Sequence, residues 1–136
     1  MSEYSRYKVR RYHLDQDGHM NVSAYNSFME EARWQLFENY NSAEFFSELD
    51  LSLILVNTNI NYYRPCKLGD ALEVQTKVMQ IGQSSCKVEQ SIMVDGDNKR
   101  VAVAEHVFVL MDMKTVKARP IEGKAREKLE QLAQAF

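Results

Sequence analysis

The chain has only two cysteines, Cys66 and Cys86, and neither stands in a CxxC spacing or beside a histidine. That pattern offers no disulfide framework, and two free thiols fit the reducing cytoplasm. An excess of basic residues is also missing. Seventeen Lys and Arg against 19 Asp and Glu leave a formal net charge of -2, where a dedicated nucleic-acid binder shows a basic surplus. Apolar runs such as Leu53–Val56 fall far short of the ~20 residues a membrane-spanning helix requires. The opening Met-Ser-Glu-Tyr-Ser-Arg lacks the apolar core of a signal peptide. The expectation is a cytoplasmic protein with no nucleic-acid partner and no membrane span.

Nor is there a Pro/Gly/Ser-rich linker, a low-complexity tract or an internal repeat. Residues 1–136 therefore read as a single domain. With 45% hydrophobic residues, a chain this long buries roughly two thirds of its unfolded surface and needs no metal or disulfide staple. A Gly-x-Ser-x-Gly elbow, a phosphate-binding glycine loop and a dinucleotide fingerprint are all absent. Those absences remove serine-hydrolase, nucleotide and NAD chemistry.

What is present falls into two periods. Ser23–Tyr40 spaces Tyr25, Phe28, Met29, Ala32, Leu36 and Tyr40 at three- and four-residue steps, which predicts an amphipathic helix. Trp34 lies off that stripe, exposed or covered by another subunit. A short helical turn is expected around Phe45–Leu49. From Leu51 onward the period is two. Leu53–Arg64 presents Ile54, Val56, Thr58, Ile60 and Tyr62 to one side, and Leu55, Asn57, Asn59, Asn61 and Tyr63 to the other. Turn residues at Arg64-Pro65 to Gly69-Asp70, at Gly82 and at Asp95–Asn98 separate further strands over Leu72–Ile81, Lys87–Val94 and Arg100–Met113. The connections are short, so the strands are antiparallel. With a first strand over Tyr7–Tyr12 and a charged, peripheral helix over Glu122–Phe136, the class is α+β.

Chemistry concentrates in His13-Leu-Asp15-Gln-Asp17-Gly18-His19-Met-Asn21, just before the long helix. A helix N-terminus offers unpaired N–H groups and partial positive charge to a developing oxyanion. Val22–Met29 contains no acid that would occupy it. A carboxylate upstream and free amides downstream are the two parts a hydrolase needs. Asp15 and Asp17 can equally form a loop or cap with Asn21, and the residues alone leave that open.

Three runs carry a resemblance. Val9 to Asn21, continuing to Tyr25 and Glu30–Trp34, resembles the 4-hydroxybenzoyl-CoA thioesterase-like family, whose pattern is an acid three residues before Gly-His-x-Asn. Asn57 to Pro65 and Gly69-Asp70 resembles its second motif. Phe108–Thr115 and Glu122–Gln131 resemble the closing strand and tail of the long-chain acyl-CoA thioesterase III subgroup. The resemblance implies a hotdog fold: an antiparallel five-stranded sheet wrapped around a long central helix. It also implies no cofactor, an acyl-CoA substrate, and homodimers or tetramers with active sites at the subunit interface. Asp15 takes the place of the catalytic acid, and the backbone amide near Val22 that of the oxyanion donor. His19, Asn21, Tyr25, Asn57 and Arg64 become substrate-site candidates: His19 and Asn21 shape the loop, Arg64 points toward the CoA phosphates, and the ladder of Asn57, Asn59 and Asn61 lines either the acyl thioester site or a subunit interface. The chain departs from many relatives at His13, where they carry a second acid. His106 reads as a core or interface histidine, and a metal site from His13 and His19 lacks ligand spacing typical of zinc. Two other readings are a hotdog enoyl-CoA hydratase and a non-catalytic acyl-thioester-binding module. The hydratase reading lacks the Asn-Pro spacer between acid and histidine.

Overall fold

The computed structural model describes residues 3–97 and 99–134. Asn98 of the expected Asp95–Asn98 turn, and the end of the expected helix at Phe136, lie outside the described residues. The elements run β1 (Glu3–Lys8), a 3-10 turn (Arg11–His13), α1 (Val22–Asn39), α2 (Ser42–Glu48), β2 (Leu51–Tyr62), β3 (Ala71–Ile81), β4 (Ser85–Val94), β5 (Arg100–Asp112), β6 (Lys117–Ala118) and α3 (Gly123–Gln134). The strands form one antiparallel sheet in the order β1-β3-β4-β5-β2. The two-residue β6 pairs with β5 at Met111 and Asp112. It takes the side that β4 leaves open, because β4 begins opposite Val109. Strands β2 to β5 lie where the sequence predicts them, and β6 is an addition.

Helix α1 buries Ala24, Tyr25, Phe28, Met29, Ala32 and Leu36, the stripe read from its spacing. Trp34 is 52% exposed, as its position off the stripe implies. The apolar interior is split in two. One cluster joins the first half of α1 to Leu72, Val74, Ile92, Val101, Ala102 and Ala104. The other joins Leu36 and Phe46 to Phe108, Leu110, Ala125, Leu129 and Leu132.

A polar layer lies between them. Gln90 donates through Nε2 to Met29 O and Thr76 Oγ1, both at 2.9 Å. Its Oε1 accepts from Arg33 Nη1 at 2.9 Å and lies 2.9 Å from His106 Nε2. A carbonyl oxygen only accepts, so Nε2 carries the imidazole proton and Nδ1 accepts from the Thr58 hydroxyl at 2.9 Å. Every polar atom of the Gln90 carboxamide is thus satisfied in a buried site.

Three expectations need correction. The first strand is Glu3–Lys8, not Tyr7–Tyr12. The chain leaves the sheet at Val9, whose N–H donates to Asp70 O and whose carbonyl accepts from Gly69 N–H. Strand β2 does not keep one alternation along its length. Leu55 faces Phe108 but Asn57 faces Val107, so Val56 is an extra bulged residue. Leu51, Leu53 and Leu55 therefore share the inner face with Thr58, Ile60 and Tyr62, while Ile54 joins the asparagines outside. Finally, α3 is not peripheral. Ala125, Leu129 and Leu132 are buried, and Arg126 donates to the carbonyls of Ile81 and Gly82 at 3.1 Å.

Candidate active site

Residues 14–20 form a small hairpin before α1, with Leu14 bridged to Met20. The Asp15 N–H donates to His19 O at 2.8 Å, and the Gly18 N–H to Asp15 O at 3.1 Å. Gly18 sits at φ +81°, a left-handed conformation that favours glycine at this turn. The Asp15 carboxylate closes the loop through Oδ1, which accepts from Asp17 N–H at 2.9 Å and His19 N–H at 3.1 Å. This bonding uses one carboxylate oxygen. It also explains why an acid three residues before glycine suits the position.

The helix start is tied to the same loop. Asn21 N–H donates to His13 O at 2.8 Å. Asn21 is the N-cap of α1, and its side chain accepts from Ala24 N–H at 2.8 Å. The cap thus takes an amide one turn in. The Val22 and Ser23 N–H groups have no acceptor within the helix, and Val22 is exposed. An unoccupied positive helix end therefore stands next to an exposed carboxylate.

His13 holds the loop from the other side. Its Nδ1 accepts from Arg10 N–H at 2.8 Å, and its ring packs edge-on against Phe28. Burial, then the charge of Arg10, lowers its pKa, so it is neutral at pH 7 and accepts as a carboxylate oxygen would. His19 is exposed and its backbone bridges to Lys67.

The remaining site residues scatter. Tyr25 is buried, with its hydroxyl 3.7 Å from Cys66 Sγ and its ring 5.0 Å from that of Tyr62. Its pKa is raised, first by burial. Arg64 is paired to Asp97 at 2.9 Å and donates to Lys99 O, while its buried Nε has no partner among the described residues. It lines a cleft of about 470 Å³ with Asp17, Gly18, His19 and Lys67. Asn57 lies across the sheet on its outer face, exposed, next to Val107. The structure thus gathers Asp15, His19, Asn21 and Val22 in one loop, sets Arg64 beside it, and leaves Asn57 apart. Sequence reasoning missed Lys67, whose place depends on a bridge between distant segments. The described residues contain no cluster of His, Cys, Asp or Glu suited to a metal, and no helix long and apolar enough to cross a membrane.

A curled antiparallel sheet packed on one long helix defines a hotdog protein. The profile of the thioesterase-like superfamily matches residues 9–132. The chain is 42% identical over 125 residues to the long-chain acyl-CoA thioesterase FadM of Escherichia coli (strain K12), covering 92% of this chain and 95% of that one. It is 28% identical over 119 residues to the acyl-CoA thioester hydrolase YbgC of Shigella flexneri, covering 85% and 88%. The crystal structure of YbaW from Escherichia coli superposes with a TM-score of 0.91 at 40% identity, covering 96% of this chain and 98% of that one. The chain belongs to the thioesterase-like superfamily, a family of hotdog-fold thioester hydrolases.

Proposed function

We propose that this protein is an acyl-CoA thioesterase acting on medium- to long-chain fatty acyl-CoA in the cytoplasm, releasing free fatty acid and CoA for fatty acid metabolism. The observation that carries the reading is the Asp15 loop. One carboxylate oxygen is fixed by two backbone amides, and the start of α1 beside it has amides free. In the reaction the thioester carbonyl lies against the Val22 N–H. Asp15 either takes a proton from the attacking water, or attacks the carbonyl itself to give a mixed anhydride that water then hydrolyses to free fatty acid and the Asp15 carboxylate. The charge that develops on the carbonyl oxygen is held by the helix start, and the CoA thiolate leaves. Asn21 and His19 keep the loop in shape. Tyr25 supports the site from within, and Arg64 with Lys67 receives the CoA phosphates.

The identity to FadM supports a long-chain preference, and the two free buried thiols support a cytoplasmic setting. The family match over 9–132 supports a single domain across residues 1–136. The protein works as a homo-oligomer, a tetramer of paired dimers, with Asn57 and Trp34 covered by neighbouring subunits.

The test is thiol release from acyl-CoA substrates of increasing chain length. Wild-type protein releases thiol fastest from long chains, and Asp15→Asn lowers the rate by about 10²- to 10⁴-fold while remaining folded. Binding of acyl-CoA without thiol release identifies a non-catalytic module instead. Better turnover of benzoyl-type thioesters than of long chains overturns the substrate class.

A further inference from the structure

Between the sheet and the Asp15 loop the chain makes one 3-10 turn, Arg11–His13. Its near end is fixed to the body of the protein through Val9, which exchanges backbone hydrogen bonds with Gly69 and Asp70 at 3.0 and 2.9 Å. Its far end carries both parts of the site. The His13 carbonyl accepts from the Asn21 N–H at 2.8 Å and so sets where α1 begins. Leu14, the next residue, bridges to Met20 across the loop that holds Asp15. A shift of this turn therefore moves the carboxylate and the Val22 amide relative to the sheet.

The turn is closed by two reciprocal bonds. The His13 N–H donates to the Arg10 carbonyl at 3.0 Å, and the Arg10 N–H donates to His13 Nδ1 at 2.8 Å. The second bond is the side-chain half of a capping box, a place that glutamate or glutamine usually fills. Their carbonyl oxygens accept at any pH. An imidazole does not. The neutral ring accepts at one nitrogen, whereas the protonated ring presents N–H groups at both. At Nδ1 the new N–H meets the Arg10 N–H head-on. The added charge also stands close to the Arg10 guanidinium, which together with burial already favours the neutral ring. The ring is held between Tyr12 of its own turn, 4.4 Å away, and Phe28 of α1, 4.7 Å away. Behind Phe28 stacks Tyr7 of β1. These neighbours bring aromatic rings to His13 and no carboxylate to balance an imidazolium.

We propose that His13 is a positioning residue: its neutral ring holds Asp15 and the Val22 amide in working order, and protonation of Nδ1 opens the turn and stops hydrolysis. Activity is present while the ring is neutral and is lost as pH falls through the His13 transition, below the ordinary histidine value of about 6.5. The inference rests on the thioesterase reading above and adds how acid pH controls that site.

Palmitoyl-CoA hydrolysis followed from acid to pH 8 tests this with two variants. His13→Ala, which has no acceptor for the Arg10 N–H, loses about 10- to 10²-fold in kcat at pH 8 as the site shifts, with KM little changed. His13→Gln restores an acceptor that does not titrate. It recovers kcat above His13→Ala, and its acid limb lies at lower pH than that of wild type. Asp15, His19 and His106 are present in both proteins, so the difference between the two limbs reads His13 alone. Superimposable limbs for wild type and His13→Gln overturn the inference, as does a kcat in His13→Ala equal to that of wild type. NMR of the wild type reads the same coupling without any variant. The backbone amides of Asp15, Asn21 and Val22 shift with the midpoint of the His13 ring. A ring that titrates without moving those amides overturns the inference. Amides that do move, in a wild type that hydrolyses no acyl-CoA, keep the hold of His13 on the loop and overturn the thioesterase reading alone.

Discussion

Asp15 and Asp17 are two residues apart and differ in what their side chains do. The Asp15 carboxylate receives two amides of its own loop, whereas Asp17 contributes its backbone N–H to that carboxylate. Asp17→Asn is accordingly expected to retain thiol release, and a large loss there with Asp15→Asn active moves the chemistry from Asp15 to Asp17. His106 offers a second test at this scale. Burial, then the charge of Arg33, depresses its pKa to about 4, below the value of about 6.5 it has when unfolded. Between those values the unfolded chain binds a proton that the folded chain does not. Stability therefore falls as pH drops from about 6.5 toward about 4, by up to about 3 kcal/mol. Urea unfolding at stepped pH reads that slope, and His106→Gln flattens it. An equal slope in the variant assigns the loss to other groups.

Among the elements, α3 departs furthest from its sequence expectation. Five of its 12 residues are charged, and its three inward residues, Ala125, Leu129 and Leu132, are too few to dominate the pattern. They nonetheless reach Phe108, Leu110 and Leu36 in the second core cluster. Leu129→Ala is expected to cost about 2–5 kcal/mol through the cavity it leaves, measured by chemical denaturation. A cost near zero would return the helix to the periphery. The same helix carries Arg126, whose guanidinium ties α3 to the β3–β4 turn at Ile81 and Gly82. The bulge at Val56 has the opposite history. The alternation of Leu53–Tyr62 was legible, but the extra residue that shifts its phase was not, because no glycine or proline marks it. Which leucines face inward depends on that single residue.

For the whole molecule, the exposed edge of β2 is the feature that asks for a partner. Outward-facing Val103, Val107 and Val109 on β5 remain partly exposed beside Ile54, which adds a sheet face to the edge. A dimer at minimum, and a tetramer as the working state, is expected at low micromolar concentration by light scattering. Val56→Asp, placed at the exposed bulge on the edge, is expected to shift the protein toward monomer and to lower thiol release with it. A fully active monomer contradicts the shared site.

The sequence by itself determined the α+β class, the long helix with its buried stripe, the four strands β2 to β5, and the Asp15-to-Asn21 loop. Each of these is written in neighbouring residues: a period, a turn, a cap, a glycine at positive φ. Tertiary structure alone decided the phase of β2 on either side of Val56, the burial of α3, the polar layer of Arg33, Gln90, His106 and Thr58, and a cleft between α1, α2 and β2. Those features join residues far apart in the chain, and each member looks ordinary in its own segment. Gln90 is one polar residue in an alternating strand until His106 and Arg33 close on its carbonyl oxygen. Contacts of that kind are set by how whole elements pack, and packing depends on every side chain in the interface at once.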